Sequence, residues 1–335
     1  MHNMDFYDIR KKAGKLRPLS FIIGGRGIGK TYSAILYALE SGKPFLYMRN
    51  TDAQMQESAT QFGNPFKRVG LDYGRDIRLE RESKHYVVNE YVDGEEKPHV
   101  IGYGASCSTF SNLRGVDLSD VELVLFDEFI ERRTLTFNQF DSFMGMYETI
   151  NRNRELQGRP ALQVILLSNS QSLRNPIIQG LDLTQKIVDM IRNNQRYYIT
   201  PEIYVELPDT EISKLKADTA IYKAAAGTGA AREALENEFV YDSFKNVQKQ
   251  RINEFTPICT AWTDGGPVTF YKHKSKPIIY ASDVPSWSAP VYDKESAGMF
   301  FRDFGFRIQA AGIRQQLYYA NYVIKINVDN LLKLT

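Results

Sequence analysis

The residues Gly24-Gly25-Arg26-Gly27-Ile28-Gly29-Lys30-Thr31 fit G-x-x-x-x-G-K-[ST], a pattern whose chemistry is the grip of a nucleoside triphosphate. Glycines let successive backbone N–H groups wrap phosphate oxygens, and a helix that starts at the lysine points its positive end at them. In that frame Lys30 reaches the β- and γ-phosphates and Thr31 holds Mg2+. Arg26, inside the loop, is placed to touch phosphate or a neighbouring subunit. A second set is Val121-Glu122-Leu123-Val124-Leu125-Phe126-Asp127-Glu128, an apolar run closed by two acids. Alone this reads as a strand followed by a solvated turn. Beside a phosphate loop, Asp127 suits the Mg2+ shell and Glu128 suits the polarising of an attacking water.

Three further features fit the same chemistry less specifically. Val164–Leu167 is a buried-type strand that runs into Ser168-Asn169. At the carboxyl end of a strand, Asn169 is placed to sense the γ-phosphate, with a plain Ser-Asn-Ser turn as the alternative. Arg152-Asn153-Arg154 offers an arginine for a neighbour's phosphoryl group, or a basic, solvated helix end. Arg49 closes a second apolar strand and is a candidate for either a cis or a trans contact.

These side chains need a scaffold, and the hydrophobic pattern supplies one. Phe21–Ile23 leads into the glycine turn, and the stretch from Lys30 to Glu40 is helical in period and ends at Gly42. Phe45–Met48 follows as a buried strand. Residues 50–80 read as helical and then irregular. His85–Val92 and His99–Tyr103, with the turn Asp93-Gly94-Glu95-Glu96, read as a hairpin. A helical segment around 137–156 separates the strands at 121–126 and 164–167. Alternating strands and helices predict an α/β domain, with a mostly parallel sheet flanked by helices, over residues 1–207. Residues 208–240, with the small, charged run KAAAGTGAAREALENEF, read as a connector. Residues 241–335 read as a smaller α+β domain, with short strands at 257–282 and an aromatic helical stretch near 297–320.

Composition narrows the classes. Apolar residues make up 43% and charged residues 24%, the balance of a folded globular chain. Net charge is only +2, so any grip on nucleic acid must come from local patches or from several subunits. Residues 241–335 carry 12 Lys/Arg against 8 Asp/Glu, a mild local excess of positive charge. Cys107 and Cys259 lie far apart, which argues against a disulfide framework and fits a reducing compartment. No apolar leader and no run near ~18 apolar residues is present, so neither signal peptide nor membrane span is expected. The basic lead-in Arg10, Lys11, Lys12, Lys15 and Arg17 fits an adenine-side wall, a neighbour contact or a disordered arm.

The order GGRGIGKT, YMR, LFDEF, NRNRE and LLSN resembles the genome-packaging ATPases of small short-tailed phages with protein-primed linear DNA. Those belong to the additional-strand, catalytic-glutamate class of P-loop motors. The resemblance covers residues 1 to about 205. It implies ATP and Mg2+ as ligands, with Gly24 to Thr31 as the nucleotide loop, Thr31 and Asp127 on the metal, and Lys30, Glu128 and Arg152 in catalysis. Arg152 matches the trans-acting arginine, Arg154 is its substitute one register on, and Arg114 falls where the family has a basic residue near a subunit interface. The implied assembly is a homo-oligomeric ring, a pentamer, docked on the portal vertex of a procapsid in the host cytoplasm and pumping double-stranded DNA inward. A structural RNA is a further partner in some relatives; no membrane is involved.

The same resemblance implies that the C-terminal domain is an RNase H-type nuclease that has lost its metal site. Asp264, Asp283 and Asp293 are too scattered in sequence to establish a metal cluster. For DNA itself, phosphate contacts need only Lys or Arg in loops. The candidates are Ser111–Gly115, with Arg114, and Tyr271–Lys276, with Lys272 and Lys274. A terminase with an active C-terminal nuclease, or another P-loop translocase or helicase, is the alternative.

Overall fold

Strand β1 (Leu19–Gly24) is buried at every residue after Leu19. This is what a run apolar on both faces requires when helices cover both sides of a parallel sheet. The computed structural model describes residues 6–83, 85–113, 117–131, 135–228, 231, 239, 242–286 and 288–334. The chain divides into two compact units, one of Met1–Leu181 with Asp189–Asp242 and the other of Asp182–Val188 with Ser243–Thr335.

The first unit is built on a nine-stranded sheet. After β1 come β2 (Phe45–Arg49), β3 (Asp76–Glu82), β4 (His85–Tyr91), β5 (His99–Ser106), β6 (Leu123–Asp127), β7 (Gln163–Asn169), β8 (Tyr197–Ile199) and β9 (Ile203–Glu206). Their order is β3-β4-β5-β2-β6-β7-β1-β9-β8. The stretch from β5 to β9 is parallel throughout, and antiparallel pairs close both edges. The hairpin expected at 85–103 is present, and it carries an additional edge strand. Residues 76–80, read as irregular, belong to β3, whose burial alternates in its first half. Alternation over so few residues is a weak signal without its partner strand.

Helix α1 (Lys30–Ser41) covers one face of this sheet, turning Ala34, Ile35 and Ala38 inward among Ile22, Tyr47, Leu125 and Ile165. It stops at Gly42, which takes a left-handed conformation. Helix α2 (Asp52–Ser58) starts with a complete capping box between Thr51 and Gln54. The alternate residues Phe21 and Phe126 lie on the other face. Phe129 packs edge-on against Phe21, ring centres 5.8 Å apart. Helix α3 (Phe66–Tyr73) follows α2, and α4 (Gln139–Asn151) begins at an Asn138 cap and buries Phe143, Met146 and Ile150; α5 (Pro176–Gly180) and α6 (Thr184–Arg192) come after β7. The basic lead-in is ordered: Asp8 caps a 3-10 turn at Ile9–Lys15, Ile9 is buried, and Arg10 reaches Glu40 of α1 at 2.7 Å.

The second unit carries a five-stranded sheet of β10 (Phe255–Thr263), β11 (Gly266–His273), β12 (Ile279–Ser282), β13 (Val291–Tyr292) and β14 (Leu317–Tyr319), ordered β13-β10-β11-β12-β14. Strands β10 to β12 form an antiparallel meander, and β13 and β14 add in parallel at its two edges. The register of β10 slips between Pro257 and Cys259, where proline has no N–H to give the ladder. The aromatic stretch is helical at Ala297–Phe300 and Phe306–Ile313, with a π-turn between them. It ends before β14, and a further helix, Tyr322–Leu332, follows. Both cysteines are buried and free, and burial pushes each thiol up to about 12, so neither is a thiolate near neutral pH. No helix among the described residues is long and apolar enough to cross a membrane.

Candidate nucleotide site

Four neighbouring parallel strands, β2, β6, β7 and β1, end side by side. Their last residues are Arg49, Asp127, Asn169 and Gly24. In a parallel sheet this edge is where ligands bind. Pairing sets the depth of each group, since Gly24 lies opposite Asn169 and Asp127 opposite Leu167.

The loop from Gly24 to Gly29 joins β1 to α1. Gly29 has φ 101° and Gly27 has φ 67°, conformations that a side chain strains. A Cβ on Gly29 would also press on Phe6 at 3.3 Å and on the Tyr7 carbonyl at 3.4 Å. Ile28 is buried in the core, which holds the loop down from beneath. Lys30 is buried and folds back along the loop. Its ammonium donates to the carbonyls of Gly24 (3.0 Å) and Gly25 (2.6 Å) and to Asn169 Oδ1 (3.2 Å). Asn169 is thus within reach of the same ammonium that the motif assigns to the terminal phosphates.

Thr31 Oγ1 donates to Asp127 Oδ1 at 2.9 Å. A hydroxyl and a carboxylate meeting this closely are an all-oxygen donor pair, which suits a hard cation such as Mg2+. The other oxygen of Asp127 accepts from Tyr47 at 3.0 Å and lies 3.4 Å from Arg49 Nη1. Arg49 Nη2 continues to Glu128 Oε2 at 2.5 Å. Arg49 therefore spans both acids of its own chain. Burial works against its charge, but Tyr47, Asp127 and Glu128 outweigh it and the net shift is upward, so the guanidinium stays charged. Burial, then the charge of Asp127, holds the Tyr47 hydroxyl protonated well above its usual range.

Glu128 leaves the strand in a left-handed conformation, φ 53°, which is uncommon for a non-glycine residue and marks a constrained position. Its side chain is half exposed. The constraint comes from buried amides absent from the motif reading. Asn50 Nδ2 donates to the Glu128 carbonyl at 2.8 Å, while Gln139 and Asn175 both donate to the Phe129 carbonyl, at 2.6 and 3.2 Å. Gln139 also bonds Asn50 at 2.6 Å and Asn175 at 2.7 Å. Such a network is stiff when every member is satisfied. The sequence hint was slight: a polar residue directly after an apolar strand, and two near helix starts.

The two arginines of the Arg152–Arg154 turn have opposite fates. Arg152 caps α4 at φ 43°, and its half-exposed side chain pairs with the exposed Asp117 at 3.2 Å. Arg154 is 3% exposed and donates to the backbone carbonyls of Val121 (2.7 Å) and Ile150 (3.4 Å). Burial, then the nearby Arg159, lowers its pKa. As a substitute trans arginine, Arg154 is therefore corrected: it is a buried brace between α4 and the chain entering β6. Arg154→Ala should lower stability by about 1–3 kcal/mol, because two buried acceptors lose their donor. Thermal unfolding checks this; an unchanged melting temperature with lost turnover would restore the trans role.

Among the DNA-contact candidates, Arg114 lies outside the described residues. Lys272, near the end of β11, and Lys274 and Lys276, on the β11–β12 turn, are exposed, and Lys274 donates to the Asn253 carbonyl at 2.8 Å. The turn is pinned by His273, buried, whose Nδ1 accepts from the Ser275 and Lys276 amides. With Arg307 and Arg314 these lysines line one groove of the second unit. Asp264 pairs with Lys294, Asp283 accepts from Ser282, and Asp293 accepts from Ser296. Among the described residues no group of three or more His, Cys, Asp or Glu is placed to hold a metal.

Residues 1–271 match the family described as Podovirus DNA encapsidation protein (Gp16). The DNA packaging protein of Bacillus phage phi29 is 25% identical over 253 residues, 73% of this chain and 69% of that protein. That of Bacillus phage B103 is 28% identical over 248 residues, 71% and 69% of the two chains. Among solved structures, a chain of the bacteriophage Phi-29 viral genome packaging motor assembly superposes with a TM-score of 0.64 at 20% identity, covering 98% of each chain. A chain of the Phi-28 gp11 DNA packaging motor gives 0.61 at 16% identity, covering 98% of this chain and 97% of that one. At these identities the likeness is one of fold.

Proposed function

This chain belongs to the podovirus DNA encapsidation protein family, and we propose that it drives packaging by hydrolysing ATP at the site between β1, β2, β6 and β7. The observation that carries this is the contact of Thr31 with Asp127 beside the buried Lys30, with Glu128 next in the chain. The loop amides and Lys30 hold the β- and γ-phosphates. Thr31 and Asp127 would hold Mg2+, which would neutralise charge developing on the phosphates. Glu128, half exposed and turned out of the strand, orients the attacking water. Asn169, bonded to Lys30, reports the γ-phosphate to β7.

The working form in this reading is a ring of identical chains, a pentamer, docked on the portal of a procapsid in the host cytoplasm, with a structural RNA as a further partner. Arg152 of one subunit completes the site of the next. Double-stranded DNA passes through the ring, gripped by phosphate contacts. The groove of Lys272, Lys274, Lys276, Arg307 and Arg314 supports the grip, since clustered cations on a chain of net charge only +2 supply it locally. The same groove supports a C-terminal unit that binds nucleic acid.

The test is steady-state ATP hydrolysis by the purified protein with and without long double-stranded DNA. Turnover should rise with DNA, and Lys30→Ala should abolish it while circular dichroism stays unchanged. Near-normal turnover by Lys30→Ala would overturn the phosphate-loop assignment. Turnover indifferent to DNA would overturn the coupling to translocation.

A further inference from the structure

The phosphate loop is tied from outside by a helix that belongs to none of its motifs. Beyond β9 the chain crosses the loop at Pro208, whose Cδ would lie 3.0 Å from a Cβ on Gly24. It then forms α7 (Glu211–Ala217). Ile212 anchors that helix, 5% exposed and in the same apolar cluster as Ile22 and Ile28. One turn on, the Lys216 ammonium donates to the carbonyl of Arg26. A Cβ on Gly27 would come within 2.8 Å of that ammonium.

Three successive carbonyls of the loop are thereby engaged by ammonium groups. Lys30 takes Gly24 and Gly25 from within, and Lys216 takes Arg26 from α7. In a planar trans peptide the C=O and N–H point in opposite directions. A loop whose carbonyls are held on cations turns its N–H groups the other way, which is the arrangement that cradles an anion. The Arg26–Gly27 peptide is left free to turn by its own residues, because Gly27 sits at φ 67° with no side chain to lock it. Lys216 supplies the lock. Burial, then the nearby Arg26 charge, lowers the Lys216 pKa, as expected for an ammonium pressed against a positive loop.

We infer that Lys216 is a positioning residue of the nucleotide site: it fixes the Arg26–Gly27 peptide in its phosphate-accepting form, and so ties α7 to nucleotide occupancy. The inference rests on the nucleotide-binding reading above. Because α7 and α8 (Ala220–Ala224) are themselves part of the connector at residues 208–240, occupancy of the loop has a route out of the ATPase sheet that starts at this lysine's hydrogen bond.

The test is binding of a fluorescent ATP analogue with Mg2+, and amide hydrogen exchange across 208–224, for the full-length wild type, Lys216→Ala and Lys216→Arg. Lys216→Ala should raise the dissociation constant about tenfold, the effect of losing one charge-assisted hydrogen bond. Lys216→Arg, which still donates to a carbonyl, should recover most of the affinity. Nucleotide should slow exchange in residues 211–217 of the wild type and leave it unchanged in Lys216→Ala. Melting temperatures within a degree or two confirm that all three fold. Affinity of Lys216→Ala within twofold of wild type, or an exchange response it retains, overturns the inference while leaving the site intact. Wild type that binds no nucleotide overturns the site assignment and the inference with it.

Discussion

Glu128→Gln is expected to lower steady-state ATP turnover by about 10²- to 10⁴-fold, the range for losing a positioned base. Nucleotide affinity should change little. The side chain of Glu128 touches Arg49 rather than the phosphate loop, and glutamine keeps its shape and a hydrogen bond to that guanidinium. The backbone should not move, because Asn50 holds the Glu128 carbonyl and Gln139 with Asn175 holds the next one. The variant therefore separates binding from chemistry. Titration with a fluorescent nucleotide and a single-turnover assay on the same preparation measure the two. Turnover within threefold of wild type would remove Glu128 from the mechanism and shift attention to Glu131, which Asn50 and Gln54 also contact.

The second large effect is expected at Arg152. An arginine supplied across an interface contributes about 10³- to 10⁵-fold to phosphoryl transfer, so Arg152→Ala rings should fall by at least the lower figure. Arg152 suits this role because little holds it at home. Its partner Asp117 is exposed, and such surface pairs exchange at almost no cost. Mixing is the sharper measurement. If Arg152 acts on the neighbouring site, activity should drop faster than the fraction of wild-type subunits as Arg152→Ala chains are added. A fall in strict proportion would place Arg152 in its own subunit's chemistry or in none. Stability offers a control, since Arg152→Ala removes only exposed contacts, to Asp117 and the Thr149 carbonyl, and should leave the melting temperature in place, unlike Arg154→Ala.

Much of the parallel sheet was legible because its strands are buried on both faces. The clearest appear as an apolar run that stops at the polar residue delivered to the site, as at Phe45–Met48 before Arg49 and Leu123–Phe126 before Asp127. The edge strand β3 was not legible. Half its residues face solvent, and only its pairing with β4 distinguishes it from a loop. The buried amides around Glu128 escaped for a different reason. Asn50, Gln139 and Asn175 lie 89 and 36 residues apart, and nothing local in sequence marks an amide that will be buried from one that will be solvated.

Local order and local chemistry were therefore present in the amino-acid string itself: a glycine loop ahead of a helix, two acids at a strand end, an asparagine at the next. These depend on short-range sterics and on periodicity, which a neighbouring window contains. What required the folded chain was every choice set by long-range contact. Arg49 lies across both acids of its own chain because β2 packs beside β6. Arg152 is half exposed and Arg154 buried, two positions apart, because a left-handed turn sends one outward and the other against Val121. Lys216 reaches the phosphate loop from 190 residues away because Ile212 shares a core with Ile28. Burial of a shared apolar surface sets which distant polar groups meet, and that surface exists only once the sheet has formed.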